Sequence, residues 1–365
     1  MPIAELGYRH WEGKRTGVMR RCFAIARSEI AIAYQGSRLL RRFLFVAWMP
    51  ILYFCPFFLA IGYVADPAND LGQGLMLTAI AGEFLPRDAL EALRCNPELN
   101  MPAVLSMVFF LFFAWSQSFL SMIVVAIAGP PLIARDQKSK AFLVYFSKPI
   151  QPWQYLFGKL STVVFFVFTM TLFPAILLFT ISIALSPDRN LLVATLPILL
   201  KICLASLTVA IPISMVVLLI SSLTKDRRIA TFVWLLLWIF GEVAFRVLTM
   251  TGSYASGVKP PAWASLLSLR ELTMRAVSGV FQMKANTETV FRGLGESGKR
   301  LGHELLSLAE DLGDPAALDR PSSVQKITDL AGLGISPELA MLALVVISVG
   351  CGYFILRQAR RAVRI

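Results

Sequence analysis

Gly129-Pro130-Pro131-Leu132-Ile133-Ala134-Arg135-Asp136-Gln137-Lys138-Ser139-Lys140-Ala141 runs on through Phe142 to Pro149 and into Gln151-Pro152-Trp153-Gln154-Tyr155-Leu156-Phe157-Gly158-Lys159. Its flanks decide how the chain is read. The apolar block Ala103 to Ala128 precedes it and Leu160 to Leu185 follows it. A helix needs about 20 apolar residues to cross roughly 30 Å of hydrocarbon, and both blocks exceed that. The segment 129–159 then joins two membrane crossings. It is expected to leave the bilayer through a basic turn, form an amphipathic helix, and break at Pro149 and Pro152, where the ring removes a backbone donor. It re-enters through Trp153, Tyr155 and Lys159, residue types that favour the headgroup level.

Working outward, four more blocks have the same character: about Phe43 to Val64, a stretch within Leu191 to Leu223, Ile229 to Met250, and Pro337 to Leu356. The expected fold is an all-α membrane protein with six transmembrane helices. Composition agrees, since hydrophobic residues make up 56% and charged ones 16% of the 365, against about 25% charged in an average soluble domain. The mean hydropathy is +0.67. The fourth block is long enough to tilt, to break at Pro212, or to begin outside the hydrocarbon. The second carries Ser116, Gln117 and Ser118 at mid-depth.

Met1 to Gly17 is polar, and the first apolar block is too long for the h-region of a signal peptide. From Gly17 to Phe43, Met19, Phe23, Ala26 and Ile30 recur at helical spacing with Arg20, Arg21 and Arg27 off the stripe, as in a helix lying on a membrane surface. Basic residues set the orientation. The amino-terminal 42 residues, the 129–159 segment, the 224–228 turn and the carboxyl tail carry nine, five, three and four Lys/Arg, against two in 65–102 and one in 186–190. The positive-inside rule puts both termini in the cytoplasm. The expected organisation is a cytoplasmic segment with a surface helix (1–42), spans one to five with a cytoplasmic connector at 129–159 (43–250), a large extracytoplasmic loop (251–335), and span six with a basic tail (336–365). Within that loop, Pro261 to Met283 has helical spacing and is expected to lie at or dip into the outer interface.

The net charge of +12 would suggest nucleic acid in a soluble protein, but here the basic residues flank the spans and answer to anionic headgroups. Cys22, Cys55, Cys95, Cys203 and Cys351 are scattered without metal or disulfide spacing. Gly293-Leu294-Gly295-Glu296-Ser297-Gly298-Lys299-Arg300 imitates a phosphate loop. It has Arg300 where a hydroxyl must hold magnesium, and no strand–helix context surrounds it. His10 and His303 form no zinc-protease pattern. The chain is therefore expected not to be an enzyme in its own right. Lys201, Glu242 and Arg246 lie inside apolar blocks, where charge is costly and pairs or faces a cavity. Glu242 and Arg246, four apart, share a helix face. Lys201 sits at a similar depth, so either one cluster or separate snorkelling residues satisfies the pattern.

The run from Ile133 to Ile150, followed by Tyr155-Leu156-Phe157-Gly158-Lys159, resembles the signature of ABC transporter permeases of the type-2 exporter family, with Asp136, Ser147, Pro149, Gly158 and Lys159 at the matching positions. The resemblance covers about residues 15–250 and the last span; the long 251–335 insertion departs from the compact form of that family. It implies a half-transporter in a bacterial plasma (inner) membrane, pairing as a homodimer or with a paralogous permease, and working with a cognate ABC ATPase. ATP and magnesium would be bound by that partner, and no cofactor by this chain. It also implies that 129–159 is the coupling segment, with Arg135, Asp136, Lys138, Lys140, Tyr145, Ser147, Pro149, Gly158 and Lys159 as its marked residues. Lys225, Asp226, Arg227 and Arg228 would form a second cytoplasmic contact. A membrane scaffold whose outer loop binds a partner is the alternative. A secondary transporter or membrane enzyme would need more intramembrane acids or a catalytic set. Spans rich in Phe, Leu, Ile and Val mildly favour a lipid-like or amphipathic cargo over a hydrophilic solute, although core packing explains the same residues at least as well.

Overall fold

The computed structural model describes residues 17–65, 97–114, 118–141, 150–184, 189–256, 262–286, 289 and 335–363. Among these residues there are helices and no strands. In chain order they are α1 (Val18–Gly36), α2 (Arg38–Val46), α3 (Met49–Ala65), α4 (Pro97–Phe112), α5 (Ser118–Ala128), α6 (Pro131–Lys138), α7 (Pro152–Met170), α8 (Leu172–Ala184), α9 (Arg189–Leu223), α10 (Arg227–Ser256), a 3₁₀ turn (Ala262–Leu266), α11 (Leu269–Val280) and α12 (Pro337–Val363). Six helical stretches are long and apolar enough to cross a membrane: Arg38–Ala60, Phe119–Lys138, Pro152–Ile183, Val193–Leu223, Arg227–Thr249 and Pro337–Arg360. This is the make-up of a multi-pass membrane protein.

The bundle is built around α9. It packs against α4, α6, α7, α8, α10, α11 and α12, so its apolar residues are buried where the others meet. Its 35 residues span about 52 Å, more than the hydrocarbon thickness. Pro197 and Pro212 lie inside it without interrupting it. Phenylalanines knit the outer ring to this core. Phe54 meets Phe112 at 5.3 Å, Phe58 meets Phe109 at 5.1 Å, and Phe113 meets Phe281 at 5.9 Å between ring centres. By contrast α10 and α12 keep long apolar faces open, with Phe232, Leu236, Phe240, Leu342, Val346 and Val349 among the exposed residues. Such faces suit lipid.

Three elements differ from the sequence-based expectation. The second expected span, Ala103 to Ala128, is not uniformly α-helical: α4 runs to Phe112, a wider π-turn covers 113–114, and among the described residues helix is next seen from Ser118 as α5. The apolar path then continues through Gly129 and Pro130 into α6. Ser116 and Gln117 lie outside the described residues. The first span begins with α2, an amphipathic turn whose Leu40 and Leu44 pack against Val124, Ala128, Phe166 and Met170. Finally, α11 is enclosed by other helices rather than lying free. Leu272 to Ser278 are all buried, and the helix packs between α9, α10 and α12. Its length of 12 residues and mixed polarity hid this, and pairing of Arg275 with Glu271 at 2.8 Å makes the burial tolerable.

Candidate functional site

The connector begins where α5 ends on α9. A Cβ at Gly129 would come within 2.7 Å of Val217, so only glycine permits this approach. Pro130 and Pro131 then open α6, but neither supplies a side-chain cap. The cap comes from another helix. The Ser221 hydroxyl on α9 accepts the N–H groups of Ile133 and Ala134, both at 3.1 Å, and donates to the Pro130 carbonyl at 2.6 Å. One hydroxyl thus uses its full hydrogen-bonding capacity. At the next residue, the Ser222 carbonyl accepts the side-chain amides of both Gln137 on α6 and Gln358 on α12. Four elements (α5, α6, α9 and α12) are tied together at one end of the bundle.

At the same end lies a closed ionic knot. Lys159 on α7 is 0% exposed, yet its ammonium is fully partnered: Glu29 Oε1 at 2.8 Å, Asp136 Oδ2 at 2.7 Å and the Leu132 carbonyl at 2.9 Å. The ammonium donates hydrogen bonds to Glu29 and to Leu132 and is ion-paired with Asp136. The Tyr155 hydroxyl donates to the same Asp136 oxygen at 2.7 Å, and its ring lies 5.3 Å from the Lys159 nitrogen, within cation–π range. The second oxygen of Glu29 accepts from Arg135 at 2.8 Å. Two carboxylates and two cations leave no net charge, which is the condition for burying such groups.

Glu29 comes from α1. That helix rests directly on α7 because a Cβ at Gly158 would meet Ile25 at 2.8 Å and the Cys22 carbonyl at 3.3 Å. Cys22, Ile25, Ala26 and Glu29 form the buried face, while Met19 and Phe23 stay exposed and Arg20 and Arg27 point away. The expected stripe was therefore shifted. Half of the apolar arc packs on protein and half is left for lipid. Tyr155 and Lys159 are likewise not headgroup anchors, since both are buried in the knot; Trp153 remains exposed.

Of the residues marked by the sequence, Arg135, Asp136, Gly158 and Lys159 come together here. Lys138 and Lys140 are exposed where α6 ends, Lys140 with a left-handed φ of 53°. Lys225, Asp226, Arg227 and Arg228 are exposed beside Ser221 and Ser222, so they share this end of the bundle. Tyr145, Ser147 and Pro149 lie outside the described residues, as do His10, His303 and the string Gly293 to Arg300. Glu29, Tyr155 and Ser221 are members that sequence reasoning missed. For Glu29 a signal existed: it is the one acid between residues 17 and 46, and it falls at helical spacing with Cys22, Ile25 and Ala26. A charge on an apolar face demands a partner.

A second charged group lies elsewhere. Glu242 on α10 accepts from Arg246 at 2.8 Å, from Arg270 at 2.7 Å and from the Ser268 hydroxyl at 3.0 Å. Arg270 also donates to the Ala114 carbonyl at 3.3 Å, in the π-turn that follows α4. Lys201 is not part of this group; it donates to Gln282 at 3.2 Å. The two arrangements that the sequence left open thus resolve into a Glu242–Arg246 pair joined by Arg270, and a separate Lys201. Between α5, α9, α10 and α11, Phe113, Ser121, Val209, Ile213, Trp238, Thr273 and Met274 line a small cavity. No family model and no curated protein matches this chain.

Proposed function

We propose that this chain is the permease subunit of an ATP-driven exporter of the ABC type, energised by a separate ATPase subunit. The observation that carries the reading is the charge-neutral knot of buried Glu29, Asp136, Tyr155 and Lys159, closed at its rim by Arg135, which is 43% exposed. It makes α1, α6 and the start of α7 one stiff block, with Lys138 and Lys140 exposed on its rim. A push on that rim reaches α9 through Ser221 and Ser222 and α12 through Gln358, because each tie is a direct hydrogen bond. Packed helices respond to such a push as rigid bodies rather than by bending.

The exposed bases of α1, α6, the 225–228 turn and the end of α12 all flank this block, and the positive-inside rule assigns that end to the cytoplasm. Both termini are then cytoplasmic, and residues between spans five and six face outward. The plasma membrane of a bacterium is the setting. Open apolar faces on α10 and α12 leave room for a second permease chain as well as for lipid. The cargo class favoured by these spans is lipid-like or amphipathic. The competing reading, a scaffold that transports nothing, predicts no dependence on an ATPase.

Co-purification with a candidate ABC ATPase co-expressed with this chain is the test. Reversing the two rim charges (Lys138→Glu with Lys140→Glu) is expected to abolish the association while leaving the melting temperature of the permease unchanged. Unaltered association and transport in that variant would remove the reading. Labelling of a cysteine placed at Lys138 from the outer surface would overturn the orientation.

A further inference from the structure

The Glu242 group has a feature that the transport reading does not use. Arg246 is 57% exposed and rises from the open face of α10, among Ile239, Phe240, Val243 and Val247, which are also exposed. It lies 19 residues beyond Arg227, so about 28 Å further along the helix axis at 1.5 Å per residue. That distance matches the roughly 30 Å hydrocarbon thickness. Arg246 therefore stands at the far headgroup boundary. An independent marker agrees: the 3₁₀ turn carrying exposed Trp263 packs on α10 close to Glu242, since just after the turn the Leu267 carbonyl lies 2.6 Å from where a Cβ at Gly241 would sit. Tryptophan favours that layer.

An arginine that merely snorkels is loose; this one is held. Its Nε donates to Glu242, and Glu242 is fixed in turn by Arg270 and Ser268. The two terminal nitrogens of Arg246 have no further partner among the described residues. With two arginines around one carboxylate, the group carries an excess positive charge. A planar guanidinium anchored at one edge offers the other edge as a fork, which matches two oxygens of a phosphate.

We infer that Arg246 is a headgroup site: it takes the phosphate of a phospholipid in the leaflet at the end of α10 far from Arg227, with the acyl chains along Phe240 and Val243. The inference needs only that α10 crosses a membrane, so it stands or falls apart from the transport reading.

The test uses the full chain reconstituted in lipid nanodiscs with a phosphatidylglycerol that carries a photoactivatable diazirine near its headgroup. Crosslinks are mapped by peptide mass spectrometry. Wild type is expected to be labelled on the peptide around residues 239–249, and Arg246→Gln to lose about tenfold of that label, the loss of one charge-assisted contact. Labelling near Arg41 at the other end should not change. Arg246→Lys keeps the charge without the fork, so an intermediate loss is expected, and it serves as the variant if Arg246→Gln does not fold. Equal labelling of wild type and both variants would overturn the inference. So would equal labelling by a diazirine diacylglycerol lacking phosphate. Removal of the label by excess inorganic phosphate would make it a free-anion site and overturn the lipid assignment.

Discussion

Glu29–Lys159–Asp136 and Glu242–Arg246–Arg270 are built from the same residue types, yet they are opposite in character. In the first, two carboxylates and two cations cancel, and the central ammonium is 0% exposed between two carboxylates and a carbonyl. In the second, one carboxylate holds two arginines, and one of those arginines is more than half exposed. Around Lys159 nothing is left to offer a ligand, so that centre can only bind helices to each other, while Arg135 closes the group at its 43%-exposed rim. The second retains donors and charge. Burial and charge balance, rather than the identity of the residues, separate a clamp from a site.

The sharpest way to break this comparison is to remove the centre of the clamp. Lys159→Met leaves two buried carboxylates, Glu29 with Arg135 alone and Asp136 with Tyr155 alone. A loss of about 3–5 kcal/mol is expected, read as a large fall in melting temperature or as failure to express. Removing the charges together (Glu29→Gln, Asp136→Asn and Lys159→Met) should recover most of it, because a buried ion set and a neutral replacement are often close in energy. A single Lys159→Met variant as stable as wild type would show that this end of the bundle is wet.

A smaller effect is expected from Gly158→Leu, which pushes α1 off α7. Overpacking of this kind costs about 1–3 kcal/mol. In a background retaining only Cys22, which is 2% exposed, maleimide should react faster with this variant. Gly36→Leu is the control, since nothing lies within 4 Å of a Cβ there. Smaller again is Ser221→Ala. It strips the cap from α6 at a cost of about 1 kcal/mol, and hydrogen exchange across residues 131–138 should speed up. If exchange there is unchanged, α6 does not depend on α9 for its start.

These clamps explain what could be read beforehand. Six spans were legible because each is a long apolar run, and run length is a local property. The π-turn at 113–114 was not, because a run of apolar residues looks alike whether or not the helix widens within it. Nor did Pro212 break α9, since neighbouring helices support the backbone around an intramembrane proline. Burial of α11 was invisible for the opposite reason: its arginine and glutamate cancel by pairing, and hydropathy does not register pairs. Asp136, Gly158 and Lys159 could be singled out as a pattern, but their role depends on Glu29, more than a hundred residues from its partners. No window of sequence contains that contact.

The smallest stability effect is the one that most sharpens the contrast. Arg246→Gln removes a cation that is mostly exposed, and exposed pairs contribute only about 0–1 kcal/mol. Glu242 keeps Arg270 and Ser268, so no buried charge is orphaned. The melting temperature in plain detergent should therefore hardly move, in contrast to Lys159→Met. Added phosphatidylglycerol should raise the melting temperature of wild type more than that of Arg246→Gln, because only the wild type retains the fork that grips the headgroup. If plain detergent alone already reveals a loss as large as that of Lys159→Met, then Arg246 belongs to the packing of the bundle, and the two charged groups are clamps of one kind.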